Sequence, residues 1–190
     1  SWTRKILRVD LSKGSCTSAP LNMEWAKLYL GQRGLASKYL SEEVDPACDP
    51  LGPDNKLIMA TGPLTGTMAS TGGRYSVVTK GPLTGTIACS NSGGYLGAEL
   101  KAAGWDMVIF EGKSPNPVYL YVQDDNAELV DAADIWGQSI WKSDEWLHKR
   151  YQDPLLRIAC VGRSAEQGCL YSGIINDQHR AAGRSGVGTV

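Results

Sequence analysis

Three stretches of the chain combine very small residues with groups suited to anions: Ser70-Thr71-Gly72-Gly73-Arg74, Ser90-Asn91-Ser92-Gly93-Gly94 and His179-Arg180-Ala181-Ala182-Gly183-Arg184-Ser185-Gly186. Glycine lets main-chain N–H groups come close to a ligand, and arginine offers a planar fork of donors that matches phosphate oxygens. Any one of these stretches, met alone, reads as a tight turn beside a solvated arginine. Three in one short chain point to a phosphate cradle, with Arg74, Asn91, Gly93 and the 180–184 segment converging on one concave face.

Other chemistries find little material. Glu111-Gly112-Lys113-Ser114 imitates the end of a phosphate-binding P-loop, but that pattern needs glycine at position 107, where Met107 stands. Gly183-Arg184-Ser185-Gly186-Val187-Gly188 has the wrong glycine order for a dinucleotide fingerprint. The five cysteines, Cys16, Cys48, Cys89, Cys160 and Cys169, are widely spaced and form no C-x-x-C pair, which argues against a disulfide scaffold and against a zinc or iron–sulfur site. Two histidines, His148 and His179, are too few for a His-based metal site. Glu99, Asp106 and Glu111 are expected in surface or helix-capping roles, and Trp105, Trp136, Trp141 and Trp146 in the core or an interface.

The elements that must position the cradle are short. A chain of 190 residues with 42% hydrophobic residues can bury one sizeable core, and 22 glycines and 9 prolines are spread too evenly to mark an internal boundary. Alternation predicts a strand over residues 5–11, and further strands over 56–60, 75–79, 84–90, 105–111, 118–122, 128–130, 157–161 and 170–175. Helices are expected over 23–30, 35–44, 95–103 and 143–151. Without regular β-α-β alternation, this pattern favours the α+β class. One hexapeptide is duplicated: Gly62-Pro63-Leu64-Thr65-Gly66-Thr67 recurs 19 residues later as Gly81-Pro82-Leu83-Thr84-Gly85-Thr86. Two related turns about a pseudo-symmetric site is the natural reading.

The balance of 19 basic and 20 acidic residues, net charge -1, gives no electrostatic reason to expect a nucleic-acid or anionic-membrane partner. No apolar run approaches the roughly 20 residues of a membrane span, and Ser1-Trp2-Thr3-Arg4-Lys5 lacks the apolar stretch of a signal peptide, so a cytoplasmic location is expected.

Taken in order, Lys5 to Leu11, Tyr29-Leu30-Gly31-Gln32-Arg33-Gly34-Leu35, Asp54 to Thr67, Gly73-Arg74-Tyr75-Ser76-Val77-Val78, Ser90 to Tyr95, Glu99 to Asp106, Glu111 to Ser114 and Ile175 to Gly188 resemble the aldehyde ferredoxin oxidoreductase family. The resemblance runs through essentially the whole chain. It implies a domain of two intertwined structural repeats, made mostly of short antiparallel strands with a few short helices. It also implies tungsten, or molybdenum, held by the dithiolenes of two pyranopterins whose phosphates are bridged by Mg2+.

Carried over by residue, the pterin contacts implied are Arg74, Asn91, Gly93, Arg180, Ala181, Gly183 and Arg184. The main-chain carbonyls of Asn91 and Ala181 are the implied magnesium ligands, a suitable hard-oxygen pair. The activity implied is oxidation of an aldehyde to a carboxylic acid, with electrons leaving through a [4Fe-4S] cluster to ferredoxin or a partner subunit in a homo-oligomer or multi-subunit complex. Class II benzoyl-CoA reductase, a close relative, and a non-catalytic pterin-binding or assembly module are the alternatives. Nothing in the chain matches the family's cluster cysteines or acid–base residues. Residues 1–190 are therefore expected to form one cofactor-binding amino-terminal domain that stops before the later ones, at Thr189-Val190 within what reads as a continuing strand.

Overall fold

The computed structural model describes all 190 residues. Eleven strands and five helices follow one another as β1 (Lys5–Asp10), β2 (Ser15–Pro20), α1 (Met23–Tyr29), α2 (Gln32–Glu43), β3 (Lys56–Thr61), β4 (Tyr75–Lys80), β5 (Ile87–Ser92), α3 (Leu96–Ala102), β6 (Met107–Glu111), β7 (Val118–Gln123), β8 (Asn126–Asp131), α4 (Ile140–Tyr151), β9 (Ala159–Cys160), α5 (Arg163–Glu166), β10 (Ile174–Asn176) and β11 (Arg180–Ala182). The fold is α+β. Six strands form the main sheet in the order β2-β1-β6-β3-β4-β5, and smaller sheets are made by β11-β10-β9 and by the hairpin β7-β8. Every pairing is antiparallel except β1 with β6.

The main sheet is apolar on both faces, which is why its central strands read as continuous hydrophobic runs. Ile6, Ile58, Ala60, Val78, Met107 and Ile109 pack against Leu35, Ala36, Tyr39 and Leu40 of α2 on one face. Their sequence neighbours point the other way: Leu7, Val9 and Val108 join Trp105 under the β7-β8 hairpin, and Tyr75 and Val77 join Ile174, Ala182 and Val187 of the small sheet. Tyr75 through Lys80 are all buried. No helix is long and apolar enough to cross a membrane.

Several local expectations change. Thr84 belongs to a turn and β5 begins at Ile87, because the second hexapeptide bends the chain. Strand β2 escaped notice because Ser15–Pro20 is small and polar, as suits a sheet edge. Helix α2 starts at Gln32 in spite of Gly34, where a Cβ would lie 2.6 Å from the Tyr29 carbonyl oxygen. Thr189 lies in a turn closed by its N–H on the Gly186 carbonyl, and is not in a strand. The two hexapeptides are equivalent in sequence order, each leaving a six-residue strand and each carrying a left-handed glycine at its fifth position, Gly66 at φ 74° and Gly85 at φ 66°. Because β3 and β4 run antiparallel, the two turns sit at opposite ends of the sheet.

Two acidic residues expected at the surface are structural. Glu111 shares Lys56, at 2.7 Å, with Glu43, which also takes two bonds of 2.6 Å from Arg8. Burial pushes the Glu43 carboxyl up, yet the hydrogen bonds from Arg8 and Lys56 outweigh it and hold the group below its ordinary value. Asp106 is 2% exposed, pairs with Lys101 of α3 and accepts from the Arg4 N–H at 2.7 Å.

Removing the cation from a buried pair leaves an uncompensated charge, so Lys101→Met should destabilise the fold by about 3–5 kcal/mol. Urea denaturation measures it; a loss of only about 0.2–1 kcal/mol, the size seen for exposed pairs, would contradict the role given to this contact.

Candidate functional site

The site lies where two sheet edges meet. Strand β5 is the last strand of the six-stranded sheet and β11 is the last of the small sheet, and the two are neighbours in space without belonging to one ladder. Strand β11 is held there from below: Ala182 and Val187 are buried against Tyr75 and Val77, and of the residues between them Arg184 is exposed while Gly186 is buried.

At one end of this seam the predicted residues come together. Arg74 immediately precedes β4, and its Nη1 donates to the Asn91 Oδ1 at 2.8 Å. The Arg74 carbonyl accepts from Thr65 Oγ1 and from Gln32 Nε2, each at 3.0 Å, so the first hexapeptide and α2 fix the backbone that carries this arginine. Asn176 is fully buried and connects the rest. Its Oδ1 accepts from Tyr75 Oη at 3.0 Å and Ser92 Oγ at 2.6 Å, and its Nδ2 donates to the Gly93 carbonyl at 3.0 Å and to Asp177 Oδ2 at 2.8 Å. Asp177 Oδ2 also accepts the Tyr95 N–H at 2.8 Å. Burial, with the nearby Asp177 charge, pushes the Tyr75 phenol well above its ordinary range, so Tyr75 stays a neutral donor.

Arg180 pairs with Asn176 across the β10-β11 hairpin and so enters the same cluster. A Cβ at Gly94 would lie 3.1 Å from Arg180 Cγ and 2.2 Å from Asp177 Oδ2. The hairpin turn carries Asp177 and Gln178 in the left-handed region, at φ 47° and 60°, and Gln178 Nε2 donates to buried Asp144 at 2.7 Å.

Gly183 and Arg184 lie further along. The segment after β11 ends beside the second hexapeptide, where a Cβ at Gly81 would lie 3.4 Å from the Ser185 carbonyl oxygen and one at Gly186 would lie 2.8 Å from Pro82 Cγ. The predicted residues therefore form a line: Arg74, Asn91, Gly93 and Arg180 gather at one end, and Gly183 and Arg184 run from Ala181 toward the other. Each hexapeptide supports one end. Arg74, Arg180 and Arg184 are exposed, and no carboxylate pairs with any of them. No group of three or more His, Cys, Asp and Glu side chains is placed to hold a metal ion, and all five cysteines are free.

The glycines separate into those the fold requires and those it does not. A Cβ at Gly73 would lie 2.3 Å from the Gly94 carbonyl oxygen, and Gly94 has φ 88°. Of the 22 glycines, only Gly93 and Gly183 combine an ordinary φ with nothing within 4 Å of a Cβ. Both were expected from the sequence to touch a ligand. Asn176 and Asp177 were missed as organisers of the site; an Asn-Asp pair directly before a polar turn was the available signal.

The family model for the aldehyde ferredoxin oxidoreductase amino-terminal domain matches residues 6–190. The chain belongs to the aldehyde ferredoxin oxidoreductase family. It is 52% identical over 186 residues to the tungsten-containing aldehyde ferredoxin oxidoreductase of Pyrococcus horikoshii, covering 98% of this chain and 31% of that one. It is 51% identical over 190 residues to the enzyme of the same name from Thermococcus kodakarensis, covering 100% of this chain and 31% of that one. The chain thus spans about a third of the length of these relatives. Among solved structures, the active-site complex of benzoyl coenzyme A reductase with 1,5-dienoyl-CoA superposes with a TM-score of 0.95 at 37% identity, over 98% of this chain and 28% of that one. The aldehyde ferredoxin oxidoreductase relatives are thus the nearer in sequence, and the reductase shares the backbone.

In this family member, Gly93→Ala and Gly183→Ala should leave the fold intact and raise its stability by roughly 0.4–1 kcal/mol, because alanine narrows the unfolded ensemble and meets nothing in the folded one. Gly94→Ala should lower stability by more than that. Denaturation of the metal-free proteins gives the comparison, and equal losses at all three positions would contradict the distinction.

Proposed function

We propose that residues 1–190 form the cofactor-holding domain of a tungsten-dependent oxidoreductase that converts aldehydes to carboxylic acids. The observation that carries the reading is the pair Gly93 and Gly183, whose missing side chains serve no contact within the chain and leave surface open for a ligand. Tungsten (or molybdenum) in a pyranopterin cofactor would supply two-electron exchange with the substrate, and an iron–sulfur cluster serving ferredoxin or a partner subunit would draw its ligands from residues outside this segment.

The residues present fit the pterin assembly. Arg74, Arg180 and Arg184 have no internal carboxylate to satisfy, so apart from the one bond Arg74 gives Asn91 their guanidinium donors are open to phosphate oxygens and the polar pterin edge. Asn91 and Ala181 lie in the facing edge strands β5 and β11, and edge strands carry main-chain groups that no ladder consumes. Their carbonyl oxygens would suit Mg2+, a hard cation that takes oxygen ligands. The linear spread of the site from Arg74 to Arg184 suits an extended anionic ligand better than a single small ion. The segment's part is to bind and orient the cofactor.

The likeness to benzoyl coenzyme A reductase supports a second reading, in which the same platform serves a reductase. Identity of about half to the tungsten aldehyde enzymes against 37% to that structure favours the aldehyde reaction. Aldehyde-dependent reduction of ferredoxin by the purified enzyme distinguishes the two.

Arg180→Ala removes a charge-assisted contact and should cost roughly ten-fold to a hundred-fold in cofactor affinity, and Arg180→Lys should recover only part because it lacks the planar fork. Gly93→Ala and Gly183→Ala should lose tungsten and pterin without losing stability. Metal and pterin analysis after gel filtration reads all four. Wild-type loading in Arg180→Ala or in both glycine variants would sink the assignment.

A further inference from the structure

We infer that Asn176 is a positioning residue that sets the separation of the two facing strand edges and thereby the spacing of the cofactor contacts on either side; the inference rests on the function proposed above. Its side chain is 0% exposed, and all four of its hydrogen-bonding positions are used. The acceptor side holds β4 and β5 through Tyr75 and Ser92. The donor side reaches the Gly93 carbonyl, while the Asn176 backbone pairs with Arg180 across the hairpin. One side chain therefore joins the backbone carrying Asn91 and Gly93 to the backbone carrying Arg180 and Ala181.

No ladder hydrogen bonds do this, since β5 and β11 belong to different sheets. The second Nδ2 bond, to Asp177, places a carboxylate oxygen where it accepts the Tyr95 N–H, which fixes the chain just after Gly94. Asn176 has no open surface through which to meet a cofactor; it acts through Gly93 and Arg180.

Asn176→Asp has the same shape and keeps the two accepted bonds, but replaces the two N–H donors with an oxygen facing the Gly93 carbonyl and Asp177. In the purified holoenzyme, tungsten and pterin release to a chelator should rise roughly 10- to 100-fold, the usual effect of removing a group that orients a ligand. Val9→Ala, a buried change in β1 at the far side of the sheet, serves as the control for lost stability and should release cofactor at the wild-type rate.

A readout independent of loading is amide hydrogen exchange in the metal-free protein, which should accelerate at Gly94, Tyr95 and Arg180–Ala182 in Asn176→Asp and not in Val9→Ala. If Asn176→Asp does not fold, Asn176→Ser, which adds no charge and can donate to only one acceptor, is measured in its place. Wild-type release from a folded variant, release that merely follows stability in both Asn176 and Val9 variants, or failure of both Asn176 variants to fold would each overturn the proposal. Absence of tungsten and pterin from the wild type would instead overturn the function on which it rests.

Discussion

Strands β5 and β11 lie side by side without sharing a ladder, and the way this seam is closed governs the rest of the site. Two sheet edges at close range would ordinarily pair, because each presents unused N–H and C=O groups. Here the contact is made below the edges, by Ala182 and Val187 against Tyr75 and Val77, and at one end by the buried Asn176 side chain. The main-chain groups along the seam stay available. A ladder would have consumed them, and open solvent on both sides would have left them without the fixed spacing that multidentate recognition requires.

Burial of the Asn176 amide at the seam is tolerable because it is satisfied, while beside it Asp177 Oδ1 is buried without a partner. A buried amide left without partners costs about 1–3 kcal/mol, whereas Asn176 has four partners: its neighbour Asp177 and, from distant parts of the chain, Tyr75 and the adjacent Ser92 and Gly93. The same logic holds for Lys101 with Asp106 and for Arg8, Lys56, Glu43 and Glu111, which pin α3 and α2 to the sheet. Apolar packing sets which layers meet, and these few satisfied polar contacts set the register in which they meet.

Much of the arrangement was legible in the sequence because its signals are local. The alternation in Lys5–Asp10, the Gly-Arg and Ser-Asn-Ser-Gly-Gly stretches and the duplicated hexapeptide each depend on neighbouring residues. What escaped depends on partners distant in the chain. Asp106 looks like a surface acid until the Arg4 N–H is seen beside it, and Asn176 looks like a turn residue until Tyr75, Ser92 and Gly93 converge on it. Strand β11 was hidden for the opposite reason: three residues, Arg180–Ala182, are too short to show a period and owe their conformation to β10. The spread of the site into a line was equally hidden, since nothing local places Ser185 beside Gly81 at one end and Arg180 beside Gly94 at the other.

Backbone strain occurs along the same line, as it does at six other non-glycine positions. Asp177, Gln178 and Ser185 are all non-glycine residues with positive φ, at 47°, 60° and 87°, and such conformations cost on the order of 1–3 kcal/mol each. They persist because their surroundings leave no alternative: Asp177 is tied to Asn176 and Tyr95, Gln178 to Asp144, and the turn after Ser185 is wedged against Pro82 of the second hexapeptide. The two strained turns bracket Ala181 and Gly183, so the short stretch between them is held at both ends, while Ala182 anchors its middle in the core. Duplication of the hexapeptide acquires a physical meaning here. One copy braces the carbonyl of Arg74 and the other braces the turn at Ser185 and Gly186, so two copies of one turn define the two ends of the candidate site.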